Sequence, residues 1–132
     1  MEPRIQQFTL VVNNQADALE FYTKKIGFEK KTDYTPPGSY RWVTVGPKGQ
    51  DVELALWQMG SPDPNGYTKG WRPGSGPPIV LRVDDCRKVH AEMKARGVSF
   101  RTEPTEYPYA TSAAFADPDG NVFAINQPKK LK

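Results

Sequence analysis

The chain has one histidine, His90, and one cysteine, Cys86. A catalytic zinc site usually takes three protein ligands rich in His and Cys, and a structural one takes four, so these two residues cannot supply either. A Ser/His/Asp triad would have to use His90 as its base, and an intramolecular disulfide is impossible. His90 lies one residue beyond the helix face set by Val89 and Met93, which is the place of a half-exposed helix residue. Cys86 falls in the first turn of the same helix, where a thiol pKa can be lowered, although the geometry suits a structural role better.

The frame that must position any site is a single domain of 132 residues, long enough to bury roughly two thirds of its unfolded surface. Hydrophobic residues make up 37% and charged residues 25%, a globular composition. No apolar run approaches the ~20 residues that span a bilayer, so no membrane association is expected. Met1-Glu2-Pro3-Arg4 leads into a strand-like stretch without the apolar core of a signal peptide. A cytoplasmic protein is expected, and the lone cysteine agrees with that compartment. The net charge is +3, with basic residues scattered except at the Pro-Lys-Lys-Leu-Lys tail. A nucleic-acid partner would call for clustered Lys and Arg, and none is expected.

Residues 5–12 alternate and are rich in β-branched and aromatic types, which predicts a strand. Asn13 and Asn14 offer N-caps to a helix running to about Ile26, with Leu19, Tyr22 and Ile26 on one face and Gly27 as its stop. Strands are predicted at 28–33, 39–46 and 51–58. The same grammar then returns. Ile79 to Val83 is a strand, Asp84 and Asp85 are caps, and the helix to Arg96 stops at Gly97. Val98 to Thr102, Ala110 to Ala116 and Val122 to Gln127 are the next strands. Leu10 and Val12 precede Leu81 and Val83 by 71 residues, and Gly27 precedes Gly97 by 70, which points to an internal duplication. The first module spans 5–58 and the second 78–127. Between Met59 and Pro78 ten of twenty residues are Gly or Pro, so regular structure cannot persist there. Residues 59–77 are a linker or a flap over a pocket, and Tyr67 and Trp71 favour the flap.

A β-α-β-β-β module occurring twice, with Ala18-Leu19-Glu20-Phe21-Tyr22 and Ile26-Gly27-Phe28 in the first half, resembles the vicinal oxygen chelate superfamily, also called the glyoxalase, bleomycin resistance protein and dioxygenase superfamily. Val83-Asp84-Asp85, Arg96-Gly97-Val98 and Phe115-Ala116-Asp117-Pro118-Asp119-Gly120-Asn121 match its second half, and the resemblance covers about residues 5–127. It implies an α+β fold in which the two modules form a curved mixed sheet, a cup, with helices on the outer face, and it implies a homodimer. It also implies four metal-ligand positions, in the first and last strands of each module. Carried onto this sequence they are Gln7, Glu53, Pro78 and Ala124, the last two at the 71-residue offset. Proline and alanine have no side-chain lone pair, and Gln7 with Glu53 leaves a divalent cation one neutral oxygen and one carboxylate. No cofactor and no divalent metal are expected.

Period-two alternation names the cup lining. Gln7, Thr9 and Val11 share a face in the first strand, with Phe8, Leu10 and Val12 behind. Tyr40, Trp42 and Thr44, then Glu53, Ala55 and Trp57, follow in the first module. Pro78, Val80 and Arg82, then Thr111, Ala113 and Phe115, then Val122, Ala124 and Asn126, follow in the second. The expected ligand-binding residues are Gln7, Thr9, Tyr40, Trp42, Glu53, Trp57, Arg82 and Phe115, suited to an aromatic or drug-like small molecule. A carboxylate on an apolar strand face needs a partner, so Glu53 is a remnant metal ligand, a salt-bridge member (Arg82 being one candidate) or an anchor for a basic ligand. Tyr107 and Tyr109 flank Pro108 in a loop or irregular strand at the cup mouth. The leading functional expectation is a metal-free protein, similar to the bleomycin-resistance branch, that sequesters its ligand. The alternatives are a metal-dependent lyase, isomerase or dioxygenase-like enzyme using Glu53 as ligand or base, and a structural module with a vestigial pocket.

Overall fold

The computed structural model describes residues 2–130. Met1 and the end of the basic tail, Leu131 and Lys132, lie outside the described residues. The first repeat comprises β1 (Gln7–Val12), α1 (Gln15–Glu20) with a π-helical continuation (Phe21–Ile26), β2 (Glu29–Tyr34), β3 (Trp42–Gly46) and β4 (Glu53–Gln58). The second comprises β5 (Ile79–Arg82), α2 (Cys86–Ala95), β6 (Thr105–Glu106), β7 (Ala110–Ala116) and β8 (Val122–Pro128). They form two compact units that divide between Gly76 and Pro77. Each unit is a four-stranded sheet, in order β1-β4-β3-β2 and β5-β8-β7-β6. The first and last strands of each repeat are parallel and the remaining pairs antiparallel. The fold is therefore α+β with two mixed sheets, neither closed into a barrel.

In the first unit one sheet face carries Leu10, Val12, Val43, Val45, Leu54 and Leu56, all at most 5% exposed. It packs against Ala18, Phe21 and Tyr22 of the helical segment. Asn14 begins that segment, its side chain accepting from Asp17 N–H at 2.9 Å. The expected single α-helix widens at Phe21. The N–H groups of Gly27 and Phe28 both reach the Tyr22 carbonyl, and the first of these is the i→i+5 bond of a π-turn. Gly27 (φ 89°) then takes the left-handed conformation that ends the helix, and Phe28 stacks on Tyr22 at 6.1 Å. Phe8, expected behind the sheet, shares the parity of Leu10 but remains 46% exposed near the strand's start.

The second unit repeats the plan around Phe115, Phe123, Ile125, Cys86 and Met93, all buried. Asp85 caps α2 through Lys88 N–H at 3.1 Å. The strand expected at 98–102 is not one. Phe100 makes a single bridge to Phe115 and turns its ring into the core, 5.4 Å from Phe115, and the sheet's edge is instead β6.

The junction of first strand, helix and last strand shows how closely the halves correspond. Gln58 Oε1 accepts from Gln15 N–H at 3.0 Å, and Gln127 Oε1 accepts from Cys86 N–H at 2.9 Å. Gln15 Nε2 donates to the Leu56 carbonyl at 2.9 Å, and Cys86 Sγ donates to the Ile125 carbonyl at 3.7 Å. Gln15 and Cys86 are 71 apart, but Gln58 and Gln127 are 69 apart, as are Leu56 and Ile125. The last strands thus correspond at an offset of 69: the offset is already 70 at the Gly27 and Gly97 stops, and the β3–β4 connection, 47–52, is then one residue longer than the β7–β8 connection, 117–121.

Candidate functional site

The other face of the first sheet is where polar and aromatic side chains gather. Gln7 pairs with Glu53 and Thr9 with Ala55 across β1 and β4. Thr44 pairs with Ala55 across β3 and β4, and Thr32 with Thr44 across β2 and β3. Partners in register point the same way, so Gln7, Thr9, Thr32, Trp42, Thr44, Glu53 and Trp57 share this face. Part of it is a cavity of about 220 Å³. Its walls are Gln7, Thr9, Tyr40, Trp42 and Trp57 from the sheet and its approach, and Asp63, Pro64, Asn65, Tyr67 and Thr68 from the segment after β4. Tyr40 and Trp57 meet edge-on at 5.2 Å and form one corner.

Five of the residues expected to bind ligand therefore line one cavity. Glu53 lies on the same face but is engaged elsewhere. Its Oε1 accepts a short hydrogen bond from the Thr44 hydroxyl and a longer one, 3.4 Å, from Thr32. Two hydroxyls solvate this half-buried carboxylate, and among the described residues it makes no ion pair.

The segment 59–76 is not an extended linker. Asp63 draws it into a tight turn, its carboxylate accepting from Tyr67 N–H (3.1 Å), Thr68 N–H (2.8 Å) and Thr68 Oγ1 (2.7 Å). Gly66, at φ 70°, reverses the chain so that these donors face back. The Thr68 hydroxyl and N–H together hold the Asp63 pKa below the usual carboxylate range. Of these wall residues the sequence reading had noticed only Tyr67. The Asp-Pro-Asn-Gly run at 63–66 is a turn signature with a side-chain acceptor at its start, and that local signal could have located Asp63.

The remaining expected residues lie in the second unit. Arg82 is exposed on β5 opposite Asn126, on the same face as Val80 and Ala124. Phe115 is misplaced by the alternation argument. Its partner across the sheet is Phe123, not Ala124, and the two rings stack at 5.3 Å. It is fully buried on the α2 side, and the residues facing the other way are Ser112, Ala114 and Ala116. The β7 parity was off by one residue, which carries every side chain to the opposite face. His90 also departs from expectation. It is 8% exposed, its ring meets Phe100 edge-on at 4.3 Å, and its Nε2 lies 3.3 Å from Glu103. Cys86 is buried, and desolvation pushes its thiol pKa up rather than down. Tyr107 and Tyr109 stack on each other at 5.8 Å and stay exposed.

A model of the Glyoxalase/Bleomycin resistance protein/Dioxygenase superfamily matches residues 4–125. The chain belongs to this superfamily. It is 40% identical to the protein YurT of Bacillus subtilis (strain 168) over 121 residues, 90% of this chain and 94% of that one. Among solved structures it is similar to TnmS3, an antibiotic binding protein from Streptomyces sp. CB03234, with TM-score 0.82 and 34% identity over 97% of this chain and 98% of that one. It is likewise similar to a superfamily member from Sphaerobacter thermophilus DSM 20745, with TM-score 0.79 and 33% identity over 95% and 97% of the two chains.

Metal-dependent members of the superfamily need donors in the first and last strands of both repeats. Here Gln7 and Glu53 are adjacent in register, but the second repeat offers Pro78 and Ala124. The 69-residue offset moves the counterpart of Glu53 to Val122, and the register partner of Ala124 is Val80. None of these side chains has a lone pair to give, and Glu53 already accepts from two threonines. Among the described residues no three His, Cys, Asp or Glu side chains are grouped so as to hold a metal. This donor set does not fit a resident metal. No helix among the described residues is long and apolar enough to cross a membrane.

Proposed function

We propose that this superfamily member binds a small, flat organic molecule in the cavity between the β1-β4-β3 face and residues 63–68, and that it sequesters this molecule without a metal and without converting it. The observation that carries the reading is the wall itself. Four aromatic rings, Tyr40, Trp42, Trp57 and Tyr67, line about 220 Å³ together with a few polar groups, of which the Asp63 carboxylate is the charged one. Rigid aromatic walls give contact area at little entropic cost and stack on planar ligands. The similarity to an antibiotic binding protein over nearly the full chain supports a drug-like ligand. The working form in this proposal is a homodimer in the cytoplasm. Tolerance of the host to that compound would follow from sequestration.

Two of the three tryptophans, Trp42 and Trp57, line the cavity, and Trp71 does not. Titration with a panel of planar antibiotics and aromatic metabolites should therefore quench intrinsic fluorescence saturably. Trp42→Ala should abolish that response and Trp71→Phe should leave it. A panel without any saturable response would overturn the proposal. Elemental analysis of protein purified without chelator should show no stoichiometric transition metal, and one equivalent per chain would refute the metal-free part.

A further inference from the structure

The walls of the cavity are uneven in charge. Asp63 is the single ionisable acid or base of ordinary aqueous range among its ten lining residues apart from two tyrosines, and no Lys or Arg is among them. Among the described residues Asp63 makes no ion pair. The groups that reach its carboxylate are two backbone N–H groups and one hydroxyl, which are dipoles and leave the negative charge uncompensated. The other large contributors to the local field are the four aromatic rings of the wall, whose π-faces are negative at their centres by virtue of the ring quadrupole. Glu53, on the same sheet face, adds a second carboxylate that has no counter-ion among the described residues. Ring faces and carboxylates act in the same direction, since both attract a cation and both repel an anion.

We infer that the cavity selects ligands bearing a compact cationic group, an alkylammonium or amidinium on a small planar body, with Asp63 as the residue that sets this specificity. The inference rests on the ligand-binding reading of the same cavity. Asp63 has two roles that can be separated. Its hydrogen bonds hold Tyr67 and Thr68 in the wall, and its charge chooses the ligand. Because its hydrogen bonds hold its pKa below the usual carboxylate range, the preference should persist from that ordinary range up to the pH at which the ligand loses its proton.

The test compares three probes of one size at pH 7: benzylammonium, benzyl alcohol and benzoate. Each is titrated by calorimetry and by tryptophan fluorescence. The wild-type protein should bind benzylammonium at least about tenfold more tightly than benzyl alcohol, and benzoate more weakly than either. Asp63→Asn, which removes charge and keeps an acceptor, should bring benzylammonium to within about twofold of benzyl alcohol, as expected when a charge term is lost. Asp63→Glu should retain the order of the three probes. Equal binding of the three probes by the wild type would overturn the inference and leave the cavity reading standing. Loss of all binding in both variants would also overturn it, because the carboxylate would then only be holding the wall. Failure of every probe on the wild type, with fluorescence unchanged, would overturn the inference and the ligand-binding reading together.

Discussion

The two units share a skeleton and differ in what one sheet face carries. In both, a side chain at the helix start reaches a carbonyl of the last strand, Gln15 to Leu56 and Cys86 to Ile125, and a glutamine at the end of that strand returns a bond to the helix. In both, the helix-side face is apolar and closed. On the opposite face the first unit presents Trp42, Trp57, Glu53 and Gln7 and is walled by residues 63–68, whereas the second presents Val80, Arg82, Ser112, Ala114, Ala124 and Asn126. The comparison teaches that the repeat conserves a hydrogen-bonded junction and a buried face, and that those two things fix the module. The other face carries none of these junction bonds, and there the two copies differ, one lining a cavity and the other not.

The largest expected effect separates Phe115 from Trp42, which the alternation argument had placed together. Phe115→Ala deletes a fully buried ring stacked on Phe123 and met edge-on by Phe100, and it should cost about 3–5 kcal/mol by urea denaturation. A loss below about 1 kcal/mol would mean that Phe115 faces the open side after all. Trp42→Ala should do the reverse. It should lower stability by much less, since Trp42 is half-buried at the cavity wall, and it should weaken any ligand of that cavity by at least about tenfold. If both variants lost stability equally, the division between a closed and an open face would fail.

The same contrast shows which parts of the molecule were legible beforehand. The duplication, the helix caps at Asn14 and Asp85, the Gly27 and Gly97 stops and seven of the eight strands could be read, because each rests on a local signal of period, cap or turn. Five site residues of the first sheet were also readable, because Glu53 and Trp57 fall on one parity in a strand whose other face is continuously apolar. The β7 segment, Ala-Thr-Ser-Ala-Ala-Phe-Ala, gives no such contrast. With small residues on both faces the parity is set by pairing with β8, which is a tertiary fact. His90 failed for a similar reason, since its burial depends on Phe100 packing inward instead of lying in a strand. Asp63 and Thr68 are the hardest to read, because their place in the wall depends on a turn closed by side-chain hydrogen bonds inside a segment rich in glycine and proline.

A smaller effect tests the shared junction. Gln15 is 7% exposed and donates to two carbonyls, Leu56 at 2.9 Å and Arg41 at 2.7 Å, whereas Cys86 makes one long contact to Ile125. Gln15→Ala leaves two acceptors without that donor and should cost about 2 kcal/mol. Cys86→Ala removes a weak donor of modest volume and should cost about 1 kcal/mol or less. Urea denaturation of the two single variants decides the point. A larger loss for Cys86→Ala would mean that the junction in the second unit is held by packing and not by the hydrogen bond the two units have in common.

The smallest effect concerns the outer strands. In the first unit Arg41 donates twice to Asp33, at 2.8 and 2.7 Å, clamping the edge strand β2 to the start of β3, and Lys30 adds a contact at 3.1 Å. Trp42 faces Tyr34 as Ser112 faces Thr105, so the second unit has Pro104 and Thr111 where the first has Asp33 and Arg41, and its two-residue edge strand β6 has only the looser Glu106–Lys129 pair at 3.6 Å. The Arg41 hydrogen bonds, with help from Lys30, hold the Asp33 carboxyl far below its ordinary value. A depressed folded-state pKa contributes stability that is fully present above the unfolded value, declines as pH falls below it and is lost as pH falls through the folded-state value. The stability difference between wild type and Asp33→Asn should therefore be full at pH 7, no more than about 1 kcal/mol for so accessible a pair. It should shrink below about pH 4. Lys129→Ala should show no more than a few tenths of a kcal/mol at either pH, and if it matched Asp33→Asn the two edges would be equivalent and the clamp would not distinguish the units.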